Sequence, residues 1–157
     1  MNMIVFEFRE AEKKFFEENK FRDFNITFFP ECLNEEFVET LDPELLEKTN
    51  IISVFINSVV NKNVIDKFKN LRIISTRSTG YDHICVKSCQ YKNIAVTNVT
   101  NYGETSVAQF TFGLIIALIR KIPSASIAFK NSETSLRTFI GRDLSKLTLG
   151  VVGTGAI

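Results

Sequence analysis

The sequence predicts an α/β fold built on a parallel sheet covered on both faces. Over the first hundred residues, short apolar runs alternate with charged segments whose apolar positions fall at helical spacing, and the connections are short. The runs are continuously apolar and rich in β-branched residues, as strands buried on both faces require. Beyond residue 100 the alternation stops and a long apolar helix begins, which sets the limit of the first sheet.

The elements follow in order. MIVFEF (3–8) is a strand, and REAEKKFFEENK (9–20) a charged helix. FNITFF (24–29) is a strand that Pro30 ends. NEEFVETLDPELLEKT (34–49) gives short helical pieces broken before Pro43, and IISVFI (51–56) is a β-branched strand. NKNVIDKFKN (61–70) is helical, LRIIST (71–76) a strand, HICVKSCQYKN (83–93) a helix and IAVTNV (94–99) a strand. In SVAQFTFGLIIALIRKIP (106–123), Ser106 and Gln109 stand as a capping box, Arg120 and Lys121 suit the last turn, and Pro123 ends the helix. Apolar side chains cover nearly all its faces, so it predicts burial between layers or at a subunit interface. A weaker helix (124–139) and a turn at Gly141–Asp143 lead to LTLGVV (147–152), read as a strand that opens a second sheet.

Composition narrows the function. The formal net charge of +1 argues against nucleic acid or an anionic membrane as the main partner. The apolar stretch 107–119 is shorter than the roughly 18–20 residues a bilayer demands, and Gln109 and Thr111 interrupt it. Cys32, Cys85 and Cys89 have no metal-ligand spacing and read as buried, reduced thiols of a cytoplasmic protein. The N-terminus lacks the marks of a signal peptide. The 15 Phe with no Trp are an unusual mix from which no function follows.

Three stretches offer chemistry. In LGVVGTGAI (149–157) an apolar run leads into Gly153-Thr154-Gly155. Glycines there allow a tight turn and a close approach to a pyrophosphate, but the spacing fits an ordinary glycine-rich turn as well. In STRSTGYDHI (75–84) a strand end meets Gly80, Asp82 is placed to cap the next helix, and the amides of Thr79 and Gly80 can form a nest for a carboxylate, though the stretch also fits an ordinary strand-to-helix loop. Arg77 is nearby and serves equally well as a structural ion-pair partner. His83, the lone histidine, reads as a structural or surface residue rather than a general base. In VTNYGETSVAQ (99–109), Tyr102 offers a hydroxyl at a domain junction, or simply packs.

Taken in order, LRIISTRSTGYDHI (71–84), IAVTNVTNYGETSVAQFTFGLIIALIRKI (94–122) and GRDLSKLTLGVVGTGAI (141–157) resemble the D-isomer-specific 2-hydroxyacid dehydrogenase family, its D-lactate dehydrogenase-like branch most of all. The resemblance runs from about residue 50 to the end and is faint before it. It implies a flavodoxin-like substrate domain over 1–100. Residues 101–157 are then the start of a Rossmann NAD-binding domain, with a dimer helix at 106–122 and its first strand at 147–152. It implies a 2-hydroxy or 2-keto acid substrate, its carboxylate held by the Thr79–Gly80 loop, with Tyr102 over the substrate and Val107 near the nicotinamide. Gly153, Gly155, Ala156 and Ile157 match the pyrophosphate turn.

Departures accompany the match. Gln109 stands where the family has Glu, Ala156 where Arg is common, and Lys146-Leu147 where Gly-Lys is usual. The family's hydride transfer also needs an arginine, a histidine and a carboxylate beyond the glycine turn, and no residue here matches them. The resemblance therefore implies the N-terminal part of an NAD-dependent oxidoreductase, inactive alone, with no catalytic residue and no metal. The alternative is a complete, non-catalytic flavodoxin-like binding or dimerisation module.

Overall fold

All four side chains of Ile51–Val54 are buried, which a strand achieves only when packed on both faces. The computed structural model describes residues 1–17, 21–132 and 136–155. Contacts divide it into two units, Met1–Thr100 and Asn101–Ile157.

The first unit is a five-stranded, all-parallel sheet of order β2-β1-β3-β4-β5. Its strands are β1 (Asn2–Val5), β2 (Asn25–Phe28), β3 (Ile51–Val54), β4 (Ile73–Thr76) and β5 (Ala95–Thr97). The helices are α1 (Lys13–Phe16), α2 (Glu35–Val38), α3 (Pro43–Lys48), α4 (Lys62–Lys67) and α5 (Val86–Tyr91). Asn34, Asp42 and Asn61 cap α2, α3 and α4, each side chain accepting from a main-chain N–H of its first turn.

The period of two along the strands sorts their residues into two clusters. Ile4, Phe6, Ile52, Val54 and Ile74 join Leu33, Val38, Val64, Ile65, Ile84 and Cys89 in the larger one. Met3, Val5 and Ile51 form the smaller one with Phe8, Phe16, Phe24 and Phe28. Much of the phenylalanine excess sits in these clusters. Phe6 stacks on Phe29 at 5.7 Å between centroids, and Phe8 lies 4.3 Å from Phe28.

Several expected elements are redrawn. The helix expected over 9–20 is a 3₁₀ turn at Glu10–Glu12 followed by α1, and residues 18–20 lie outside the described ones. The helix expected from 83 starts only at Val86. Ile84, after a turn at Asp82–His83, forms an isolated parallel bridge with Val60, with Val60 N–H on the His83 carbonyl and Cys85 N–H on that of Val60. Cys85, not Asp82, takes the N-cap position. Of the three thiols only Cys89 is fully buried.

In the second unit the long helix is α6 (Glu104–Ile119), and Gly103 takes its N-cap position with no side-chain bond. Ser106 and Gln109 therefore lie inside the helix and form no capping box. Lys121, at φ 54°, breaks the chain into α7 (Ile122–Lys130). Pro123 falls in the first turn of α7, where its missing N–H costs nothing, so it starts a helix rather than ending one. Residues 124–139 are not one helix: α7 ends at Lys130, and a 3₁₀ turn follows at Leu136–Phe139. Among the described residues no single helix is long and apolar enough to cross a membrane, and α6 with α7 passes that test only as a pair bent by 61°.

The strand expected over 147–152 does not form: these residues join no ladder among the described ones, and Val151 and Val152 are exposed. A strand exists only through hydrogen bonds to a neighbour, and an apolar run without one stays irregular. Gly141 shows a different constraint in this unit. A Cβ there would lie 2.4 Å from the Ile119 carbonyl oxygen, where Arg142 N–H bonds at 3.0 Å.

Candidate functional site

The carboxyl ends of β1, β3 and β4 gather the polar groups of the first unit. This is the edge at which open α/β sheets take their ligands. β4 delivers Thr76, Arg77 and Ser78 there, and Arg77 N–H extends the ladder to the Val54 carbonyl at 2.9 Å.

A one-way chain of hydrogen bonds fixes the loop that follows. Ser78 Oγ donates to the Gly80 carbonyl at 2.8 Å. Its proton is thus committed, so Thr76 Oγ1 donates to Ser78 Oγ at 2.6 Å. His83 Nε2, 3.2 Å from Thr76 Oγ1, then carries the proton that completes the chain. His83 thus works as a structural donor. Asn98 Nδ2 donates to the Thr79 carbonyl at 2.8 Å, and Val99 N–H to that of Ser78 at 3.1 Å.

Every carbonyl from 78 to 80 is therefore engaged. The amides of Thr79 and Gly80 donate to no acceptor among the described residues, and both residues are exposed. A Cβ at Gly80 would meet only Asp82 Oδ2, at 4.0 Å. Glycine there leaves the space above the main chain open, and Tyr81, Val86, Val96 and Asn98 line a hollow of about 250 Å³ beside it.

Arg77 faces inward. Its Nη1 donates to Ser53 Oγ at 3.0 Å, and its Nη2 to the carbonyls of Phe6 and Glu7 at 2.9 and 3.0 Å. Its Nε lies 3.6 Å from Glu12, an ion pair too long for a hydrogen bond. Of the two roles open to it in the sequence, the structural one is the one it fills.

Glu7, Ser58 and Asn98 were not singled out by the sequence. Glu7 adopts φ 52°, rare for a residue with a Cβ. Its carboxylate accepts from the N–H groups of Phe55, Asn57 and Ser58, from Asn57 Nδ2 and from Ser58 Oγ, at 2.6–3.1 Å. Burial works to raise its pKa, but the Ser58 hydroxyl and the Asn57 and Phe55 amides outweigh burial and hold it below the usual carboxylate range. A depressed carboxyl stabilises the fold above its unfolded value, and that contribution fades as pH falls through the folded one. The first unit should therefore lose stability as pH falls below the usual carboxylate range and through the lower folded value, and Glu7→Gln should flatten that dependence. Urea denaturation of both proteins across that range measures it.

The remaining expected site residues lie in the second unit. Tyr102 and Val107 are exposed, at the start of α6. Gly153 takes φ 90°, a conformation that favours glycine, and a Cβ added at Gly153 or at Gly155 would meet nothing within 4 Å. Ala156 and Ile157 lie outside the described residues. With no paired strand before the turn, no dinucleotide site is assembled among the described residues.

The family model of the D-isomer specific 2-hydroxyacid dehydrogenase catalytic domain matches residues 3–150. The chain belongs to this family. The dehydrogenase family also supplies its relatives in sequence and in structure. The chain is 37% identical over 112 residues to a D-3-phosphoglycerate dehydrogenase of Methanocaldococcus jannaschii, covering 71% of this chain and 21% of the relative. It is 37% identical over 108 residues to an aromatic 2-oxoacid reductase of Clostridium sporogenes, covering 68% and 33%. The D-lactate dehydrogenase of Aquifex aeolicus, solved with NAD and lactic acid, superposes with a TM-score of 0.87 at 28% identity, over 99% of this chain and 45% of that one. The five-stranded parallel sheet matches the substrate-binding domain of these dehydrogenases. The chain thus spans a fifth to a third of these two curated relatives and about half of that solved dehydrogenase.

Proposed function

We propose that this chain supplies the substrate-binding part of an NAD-dependent oxidoreductase that interconverts a small 2-keto acid and its D-2-hydroxy acid. The observation that carries this reading is the loop at Thr79–Gly80: two exposed amides without acceptors, on a loop whose carbonyls are all held by other groups. Such paired N–H groups suit a carboxylate, which accepts at both oxygens. The open space above Gly80 and the neighbouring hollow leave room for the rest of a small acid.

On this reading residues 1–100 are the substrate domain and 101–157 begin the nucleotide domain. Tyr102 lies over the substrate, Val107 near the nicotinamide, and Gly153 and Gly155 lead into the pyrophosphate turn. Ala156 and Ile157 continue that turn. A homodimer through the 106–122 segment is supported by the exposed Phe110, Leu114 and Leu118 of α6. Its three free thiols suit a cytoplasmic protein.

Gly80→Ala tests the loop directly. A methyl group fits at this position, so stability should change by less than about 1 kcal/mol. It would project into the space assigned to the carboxylate. Pyruvate affinity measured by titration calorimetry should fall at least about tenfold, a loss of about 1.4 kcal/mol. Unchanged affinity in a folded variant would refute the assignment.

A further inference from the structure

In a sheet of order 2-1-3-4-5 the crevice between β1 and β3 is where the winding direction reverses, and ligands favour it. Here the chain fills that crevice with its own carboxylate. Glu7 follows β1 and receives three main-chain N–H groups and two side-chain donors from the turn after β3. Ser58 extends the connection, since its Oγ also accepts from Leu33 N–H at 3.0 Å. The Glu7 main chain holds φ 52°, and its carbonyl, with that of Phe6, accepts from Arg77 Nη2. Arg77 directly precedes Ser78, the residue that sets the Gly80 carbonyl.

We propose that Glu7 is a positioning residue for the 78–80 loop: its carboxylate gathers the 55–58 turn, and its main chain anchors the Arg77 side chain from which the loop departs. The two functions depend on each other. A left-handed conformation is unfavourable for glutamate, and the carboxylate bonds hold it there. Without them the main chain relaxes, the Glu7 carbonyl turns from Arg77, and the guanidinium that braces the start of the loop shifts. Arg9, Glu12 and Arg77 are the charged groups around this centre. Glu12 accepts from Arg9 N–H at 3.1 Å, and the Arg9 and Arg77 guanidinium carbons each lie 5.9 Å from the Phe55 ring centroid.

The proposal rests on reading 78–80 as the carboxylate loop, so its test reads the loop both with and without ligand. Glu7→Gln keeps the volume but turns an amide N–H₂ towards donors. Glu7→Gly loses the carboxylate but accepts φ 52° without strain. Proton–nitrogen correlation spectra of the ¹⁵N-labelled chain should show the Thr79 and Gly80 amides displaced in Glu7→Gln, with the helix amides of α3 and α4 unmoved. Glu7→Gly should displace them less. Pyruvate should bind Glu7→Gln about 5- to 10-fold more weakly than the wild type.

If pyruvate perturbs the wild-type loop and binds Glu7→Gln equally well, the role of Glu7 is refuted while the substrate reading stands. If pyruvate leaves the wild-type loop untouched, the substrate reading fails. Displacement of the Thr79 and Gly80 amides in ligand-free Glu7→Gln then still decides the positioning role. Should Glu7→Gln not fold, Glu7→Gly decides: a smaller displacement of the Thr79 and Gly80 amides supports the role, and amides and pyruvate affinity identical to the wild type refute it.

Discussion

Residues 1–157 on their own will not oxidise NADH with pyruvate, or with any other 2-keto acid, above the buffer rate. Hydride transfer needs a bound nicotinamide, a cation to hold and polarise the substrate, and a group to move the hydroxyl proton. None of these is in place among the described residues. The segment before Gly153 is an apolar run that pairs with no strand among the described residues. Arg77 spends its donors on Ser53, Phe6 and Glu7. His83 is committed to Thr76, and moving its Nε2 proton would break the chain that shapes the loop. Absorbance at the NADH band over hours, with a complete family dehydrogenase as control, measures this. Turnover by the chain would show that the site has been placed wrongly.

Arg77→Met should destabilise the first unit by about 3 kcal/mol, far more than a change at a ligand-contacting surface arginine. The substitution keeps an unbranched side chain but strips the donors from the Phe6 and Glu7 carbonyls and from Ser53 Oγ. It also leaves Glu12 without its cation. Arg77→Lys should recover part of the loss, because one ammonium cannot reproduce a fork that serves three acceptors. Urea midpoints for the three proteins decide between the two roles. A substrate arginine would leave the midpoint almost unchanged and reduce only ligand affinity.

The first sheet was legible because buried parallel strands write themselves as continuous apolar runs. Ile51–Val54 and Ile73–Thr76 lie inside the segments so read. The start of α5 was not legible, since it is delayed by a bridge to Val60 more than twenty residues away. The same reason hid Glu7, whose donors lie 48–51 residues along the chain. Only the glutamate after a buried strand, at the point where the sheet reverses direction, hinted at it. Val151 and Val152 join no ladder among the described residues, because apolar character becomes a strand only beside a neighbour to pair with. The Thr79–Gly80 loop was visible as a strand end meeting glycine, but its free amides became evident only once Ser78 and Asn98 were seen holding the carbonyls.

The role assigned to this loop is to hold a carboxylate. A crystal structure of the chain grown with oxamate, a close mimic of pyruvate, tests it most directly. The oxamate carboxylate should lie within about 3 Å of both the Thr79 and Gly80 nitrogens, its amide end towards the hollow lined by Tyr81 and Asn98. Oxamate bound elsewhere, with those two nitrogens bonded only to water, would contradict it.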